Sequence, residues 1–187
     1  MGRAKGDAKT RVICLGNELV RDDGVGIRIG RVLKRLELPD WVSIELRGVV
    51  GLELIDELRA DESLVVVDAS QTGRAPGTCA VLEMSEAASL AQVPYSCHGM
   101  GLAEVLVLAA KLCPERLPPH AAVVVVECED IESYGLTLTD AVQEALPGAV
   151  EVVLRTIGLD EGMQRRGWEE AQRWKDWAPS VRELAGE

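Results

Sequence analysis

An acidic pair, Asp22-Asp23, lies in the loop Gly16-Asn17-Glu18-Leu19-Val20-Arg21-Asp22-Asp23-Gly24, Asp68 closes a run of β-formers, and His98 is one of two histidines in the chain. One carboxylate of the pair, Asp68 and the imidazole would suit a divalent metal bound through hard and borderline donors, with positions left open for substrate or water. Such a centre polarises a carbonyl or lowers the pKa of a bound water, so peptide hydrolysis is within its chemistry. The spacing alone is weak, because no H-E-x-x-H helix sets two ligands on one face.

Each of these residues also has a plain structural role open to it. Asp22 and Asp23 stand where a helix N-cap is expected. Asp68 at a strand end can accept from turn amides, and His98 before a helix can cap it or pack as a ring. His120, in Pro118-Pro119-His120, leads into the amino end of a strand, the wrong edge for a ligand. Glu127, Glu129, Asp130 and Glu132 follow the last strand on the favoured rim; they read as a solvated acidic lip, with substrate contact as the other reading. Competing motifs fare poorly. There is no phosphate-binding G-x-x-x-x-G-K-[ST] and no G-x-S-x-G elbow. Gly24-x-Gly26-x-x-x-Gly30 starts too far beyond the first strand for a dinucleotide fingerprint, and Cys97 beside His98 makes a poor nucleophile and base, since sequence neighbours rarely face one another.

The elements that must position these residues alternate between strand and helix. Arg11 to Leu15, Trp41 to Leu46, Ser63 to Val67, Thr78 to Leu82 and Ala121 to Val126 read as strands, the third ending on Asp68 and the fourth as a hairpin or edge strand after Pro76-Gly77. Gly24 to Leu36, Gly51 to Leu58 and Gly99 to Leu112 carry apolar residues at helical spacing, and Met84 to Ser96 reads as irregular connection. Leu136 to Asp140 supplies an N-cap for a helix ending near Pro147-Gly148, with a further helical stretch from Ala149 to Ile157. This predicts an α/β three-layer sandwich with a mainly parallel twisted sheet of about five strands. In such a sheet, ligands bind beyond the carboxyl ends of the strands, where the strand order reverses. Asp22, Asp23, Asp68 and His98 all fall on that rim.

The 187 residues suffice for one domain with a sizeable core. Residues 1–10 read as a flexible leader without the apolar stretch of a secretory signal, 11–159 as the α/β domain, and 160–187 as a charged helical extension holding Trp168, Trp174 and Trp177. That extension either packs its indoles back on the domain or docks a partner. Twenty basic against thirty-one acidic side chains leave a net charge of −11. This gives no general drive toward nucleic acid or an anionic membrane surface, and no apolar run is long enough for a membrane helix. Five dispersed cysteines without a C-x-x-C pair suggest reduced thiols and a cytoplasmic protein.

Taken in order, Gly16-Asn17-x-Leu19-x-x-Asp22-Asp23-Gly24-x-Gly26, Val67-Asp68-Ala69, Ala75-Pro76-Gly77-Thr78, His98-x-x-Gly101-Leu102 and Gly135-Leu136-Thr137 closely resemble the hydrogenase maturation proteases. The likeness runs from about Arg11 to Ile157, and the tryptophan-bearing tail lies outside it. Cys14 stands where the family often has a glycine. The resemblance implies a phosphorylase/hydrolase-like α/β domain and a cytoplasmic endopeptidase, read here as a monomer. This enzyme removes the C-terminal extension of a nickel–iron hydrogenase large-subunit precursor after nickel insertion. It further implies that Asp23, Asp68 and His98 contact a nickel held by the substrate, so no permanently bound metal is required; hydrolysis would then come from a carboxylate or a metal-activated water, with Asp23 or Asp68 as the expected base. A non-catalytic nickel-sensing escort for the precursor is the alternative from another class, and a nucleotide-binding oxidoreductase a second.

Overall fold

Three runs of β-branched residues set the architecture. The computed structural model describes residues 9–48, 51–83 and 102–179. In it these runs become β1 (Lys9–Leu15), β3 (Glu62–Ser70) and β5 (Ala121–Glu127). All three are apolar on both faces, as parallel strands covered by helices on either side must be. β2 (Val42–Arg47) pairs parallel to β1, and β4 (Cys79–Glu83) pairs antiparallel to β5, giving the order β2-β1-β3-β5-β4. β4 thus occupies the edge position expected for it, and β5 lies inside the sheet.

The alternation of side chains along each strand divides the core in two. Val12, Cys14, Val65, Val67, Val124 and Val126 face α1 (Val25–Leu33), α4 (Asp140–Thr156) and α5 (Glu161–Trp174). Ile13, Leu15, Leu64, Val66, Val123 and Val125 face α2 (Glu53–Glu57) and α3 (Leu102–Leu112), through Leu54, Val105 and Ala109. Full burial of a Val, Leu or Ile contributes roughly 1.5–3 kcal/mol, so a one-residue slip of any strand would move its apolar set to the wrong layer. The result is a helix–sheet–helix sandwich, and no helix among the described residues is long and apolar enough to cross a membrane.

Several boundaries differ from the expectation: β1 begins at Lys9, inside the expected leader, and α1 ends at Leu33, short of Leu36. β3 continues past Asp68 to Ser70, because Asp68, Ala69 and Ser70 stay in register with Val125, Val126 and Glu127; Asp68 lies within the strand end rather than in a turn. The helix expected to stop near Pro147 runs unbroken through it to Thr156. Pro147 removes one backbone donor, but the buried stripe of Val142, Leu146, Ala149, Val150, Val153 and Leu154 continues across it and holds the helix on the sheet.

β1 has β2 on one side and β3 on the other. The chain leaves β1 through α1 toward β2, whereas beyond β3 it continues to β4 and β5 on the opposite side. The carboxyl ends of β1 and β3 therefore flank the switch point of the sheet, the crevice in which α/β folds bind ligands.

Candidate active site

At the end of β1, Gly16 adopts φ 141°, a conformation that strongly favours glycine. A Cβ there would also lie 2.1 Å from the Asp23 carbonyl oxygen. The loop closes onto itself at this point: the Asn17 amide donates to that carbonyl at 3.3 Å, and the Asp23 amide donates to the Val20 carbonyl at 2.9 Å. A single 3-10 turn, Arg21–Gly24, carries both aspartates into α1 and packs against β3. Gly26 allows a second close approach, this time to two strands at once. A Cβ on it would sit 2.2 Å from the Leu15 carbonyl oxygen and 2.8 Å from that of Val67, so the start of α1 rests on the last residue of β1 and on the residue before Asp68.

The two neighbouring aspartates do different work. Asp22 is fully buried, and its Oδ1 accepts from the Thr139 amide at 2.6 Å. Its Oδ2 accepts from the Glu129 amide at 3.0 Å, the Asp130 amide at 3.1 Å and the Thr139 hydroxyl at 2.7 Å. It joins the β1 loop to the β5 loop and to the start of α4, instead of capping its own helix. Thr139 likewise occupies the N-cap position of α4 without capping it, because its hydroxyl is committed to Asp22. Asp23 is 5% exposed and Asp68 1%, with Asp68 Oδ1 accepting from the Ala69 amide at 2.8 Å. The fold thus brings both expected carboxylates to the carboxyl edge at the switch point. His98 and its neighbour Cys97 lie outside the described residues. Among the described residues, no three His, Cys, Asp or Glu side chains converge into a metal-holding group. His120 is exposed at the opposite edge, its carbonyl accepting from the Leu64 amide at the start of β3.

Glu127 corrects the reading of the acidic lip. It is 2% exposed, with Oε1 accepting from the consecutive amides of Thr72, Gly73 and Arg74 and Oε2 from the hydroxyls of Ser70 and Thr72. Burial pushes its carboxyl up, but these hydrogen bonds outweigh that and hold it below the ordinary value. Glu127 is the internal anchor of the loop that follows β3. Asp130 ties down its own turn through the Glu132 and Ser133 amides and pairs with Arg21 at 3.5 Å, while Glu129 and Glu132 are exposed as expected. Only register information could have identified Glu127, since it faces Ser70 across β3 and β5. Beside the β1 loop, an open groove of about 500 Å³ is lined by Gly16, Asn17, Glu18, Leu19, Ile27 and Arg31, with Leu46 to Gly48 opposite. Cys14 packs against Gly30 beneath this region, where burial pushes its thiol up to about 12. It is an inert packing group.

Residues 27–156 match the family model for hydrogenase maturation proteases, which is more than half of the chain. The chain belongs to the hydrogenase maturation protease family. The protease is 33% identical over 148 residues to the hydrogenase 2 maturation protease of Escherichia coli, covering 78% of this chain and 88% of that one. It is 32% identical over 168 residues to the hydrogenase expression/formation protein HupD of Thiocapsa roseopersicina, covering 87% and 73%. Its fold matches the solved structure of the hydrogenase maturating endopeptidase HybD of E. coli with a TM-score of 0.67 at 31% identity, covering 80% of this chain and 94% of that one. A second solved endopeptidase from E. coli matches with a TM-score of 0.70 at 30% identity, covering 81% and 95%. The protease is therefore a peptide-bond hydrolase with the three-layer α/β fold of these enzymes, and α5 with its tryptophans lies beyond the segment matched by the family model.

Proposed function

We propose that this protease acts in the cytoplasm to remove the C-terminal extension of a nickel–iron hydrogenase large-subunit precursor after nickel insertion. Asp23, Asp68 and His98 would meet the nickel that the substrate carries. The observation that carries the reading is the placement of two buried carboxylates, Asp23 and Asp68, at the switch point of a fold shared with HybD. Hard carboxylate oxygens suit a divalent cation, and a three-ligand set leaves room for ligands that remain on the substrate. In the hydrolysis, one aspartate takes a proton from water as the oxygen attacks the scissile carbonyl carbon. The tetrahedral species collapses with cleavage of the C–N bond, and the proton passes to the leaving amine. Asp23 or Asp68 is this base. Protein-borne nickel as cargo also accords with the net charge of −11, which favours a cationic centre at an acidic rim.

The test is incubation of the purified protease with nickel-loaded and nickel-free precursor. Shortening of the loaded precursor alone is the expected result. Cleavage of both forms would sink nickel recognition, and an intact precursor held in a stable complex would favour the escort.

A further inference from the structure

The C-terminal segment beyond α4 lies against α1, which follows directly from the turn bearing Asp23. Arg28, Arg31 and Arg35 form one face of α1 and its C-terminal end, and two tryptophans cover them. The Trp177 ring lies 4.7 Å from the Arg28 guanidinium and 5.4 Å from that of Arg31, and Trp174 lies 3.6 Å from that of Arg35. Both arginines under Trp177 are committed to the loops around the aspartates. Arg31 grips Glu18 in a two-point pair at 2.9 and 2.7 Å, and Glu18 lies in the loop between β1 and Asp23. Buried Arg28 donates to the carbonyl of Trp177 and, at 2.6 Å, to the carbonyl of Leu136. The neighbouring Gly135 closes on the same loop, its carbonyl accepting from the Arg21 amide and its amide donating to the Leu19 carbonyl, each at 3.0 Å. Further along, Lys175 pairs with Glu144 and Gln143 donates to Asp176, fastening the segment to α4.

We infer that Trp177 is a positioning residue: it clasps Arg28 and Arg31 so that the Glu18-to-Asp23 loop and the adjoining groove wall keep the geometry needed for cleavage. Cation–π contacts of this kind, with the guanidinium partly desolvated, are stronger than exposed ones. The planar arginine fork fixes direction as well as charge. The clasp extends the proposed function, since the loop it holds carries Asp23, but its structural part stands independently of substrate.

The experiment compares Trp177→Ala and Trp177→Phe in the full chain by amide hydrogen exchange and by precursor cleavage. Trp177→Ala is expected to speed exchange at Asn17, Val20, Arg21 and Asp23 about tenfold, leaving the amides of β1, β3 and β5 unchanged. It is also expected to lower kcat about tenfold with a smaller change in KM, because the loop rather than precursor capture is disturbed. Trp177→Phe, which keeps a ring over the guanidinium groups, is expected to recover most of both effects. Unchanged exchange in the loop, or acceleration spread evenly through the sheet, would overturn the clasp, as would a phenylalanine variant no better than alanine. If wild-type protease left the loaded precursor uncut, the proposed function would fall, and the exchange readout would still decide the clasp.

Discussion

Replacing Asp22 separates the structural aspartate from its chemical neighbour. Four donors converge on this fully buried carboxylate: the amides of Glu129, Asp130 and Thr139, and the Thr139 hydroxyl. Hydrogen bonds to a charged group are worth roughly 1.5–3 kcal/mol each, and a stranded buried donor costs a comparable amount. In Asp22→Ala the Thr139 hydroxyl can rotate to another acceptor, and the amide of exposed Glu129 can reach water. The Thr139 and Asp130 amides carry most of the loss, so the expected cost is about 3–5 kcal/mol. Asp22→Asn is gentler. Its carbonyl can serve the three donors that now reach Oδ2, leaving the side-chain amide against the Thr139 N–H, at a cost of about 1–3 kcal/mol. Urea unfolding followed by far-UV circular dichroism measures both. Domain stabilities are commonly about 5–15 kcal/mol, so the alanine variant should unfold at a much lower urea concentration. An alanine variant within about 1 kcal/mol of wild type, or an asparagine variant as damaging as alanine, would refute the assignment of Asp22 as the tie between the three loops.

Asp23→Asn and Asp68→Asn are each expected to lower cleavage of nickel-loaded precursor by about 10²–10⁴-fold, the range for loss of a general base, while urea unfolding shifts by only about 1 kcal/mol; a variant that cuts at full rate removes that residue from the site. His98→Ala is expected to abolish cleavage of the same precursor, and retained activity would strike it from the ligand set. For Glu127 the folded-state pKa lies below the ordinary 4.5, so its stabilising contribution is full above that value and is lost as pH falls through the folded one. Glu127→Gln should therefore flatten the fall in stability below about pH 4.5, and an acid limb identical to wild type would contradict this. Gly26→Ala puts a methyl against two backbone carbonyls that cannot rotate away; a loss above about 2 kcal/mol is expected by urea unfolding, and a neutral result would mean that α1 can shift off the sheet.

Much of the framework could be read from residue order alone. Arg11 to Leu15 and Ala121 to Val126 are apolar on both faces and too short for buried helices, so their place inside a parallel sheet follows directly. The same reading places Asp23 and Asp68 on one edge. What escaped it depends on long-range partners. Asp22 looks like a cap because Asp before a helix commonly is one; its real donors stand more than a hundred positions away. Glu127 ends a strand beside other acids and so reads as solvated, until the β3–β5 register sets it under the amides of residues 72 to 74. Pro147 signals a helix end locally, yet the buried stripe on either side outweighs one missing donor. The tail showed a choice between packing and docking, and Trp174 and Trp177 pack against the arginines of α1.

The absence of room at Gly16 and Gly26 has a kinetic side. With the start of α1 seated on the ends of β1 and β3 and no room for a Cβ at Gly16 or Gly26, backbone contact sets where the turn bearing Asp23 stands. In the proposed reaction the encounter is productive only when the precursor presents metal and scissile bond to oxygens that the backbone already holds in place.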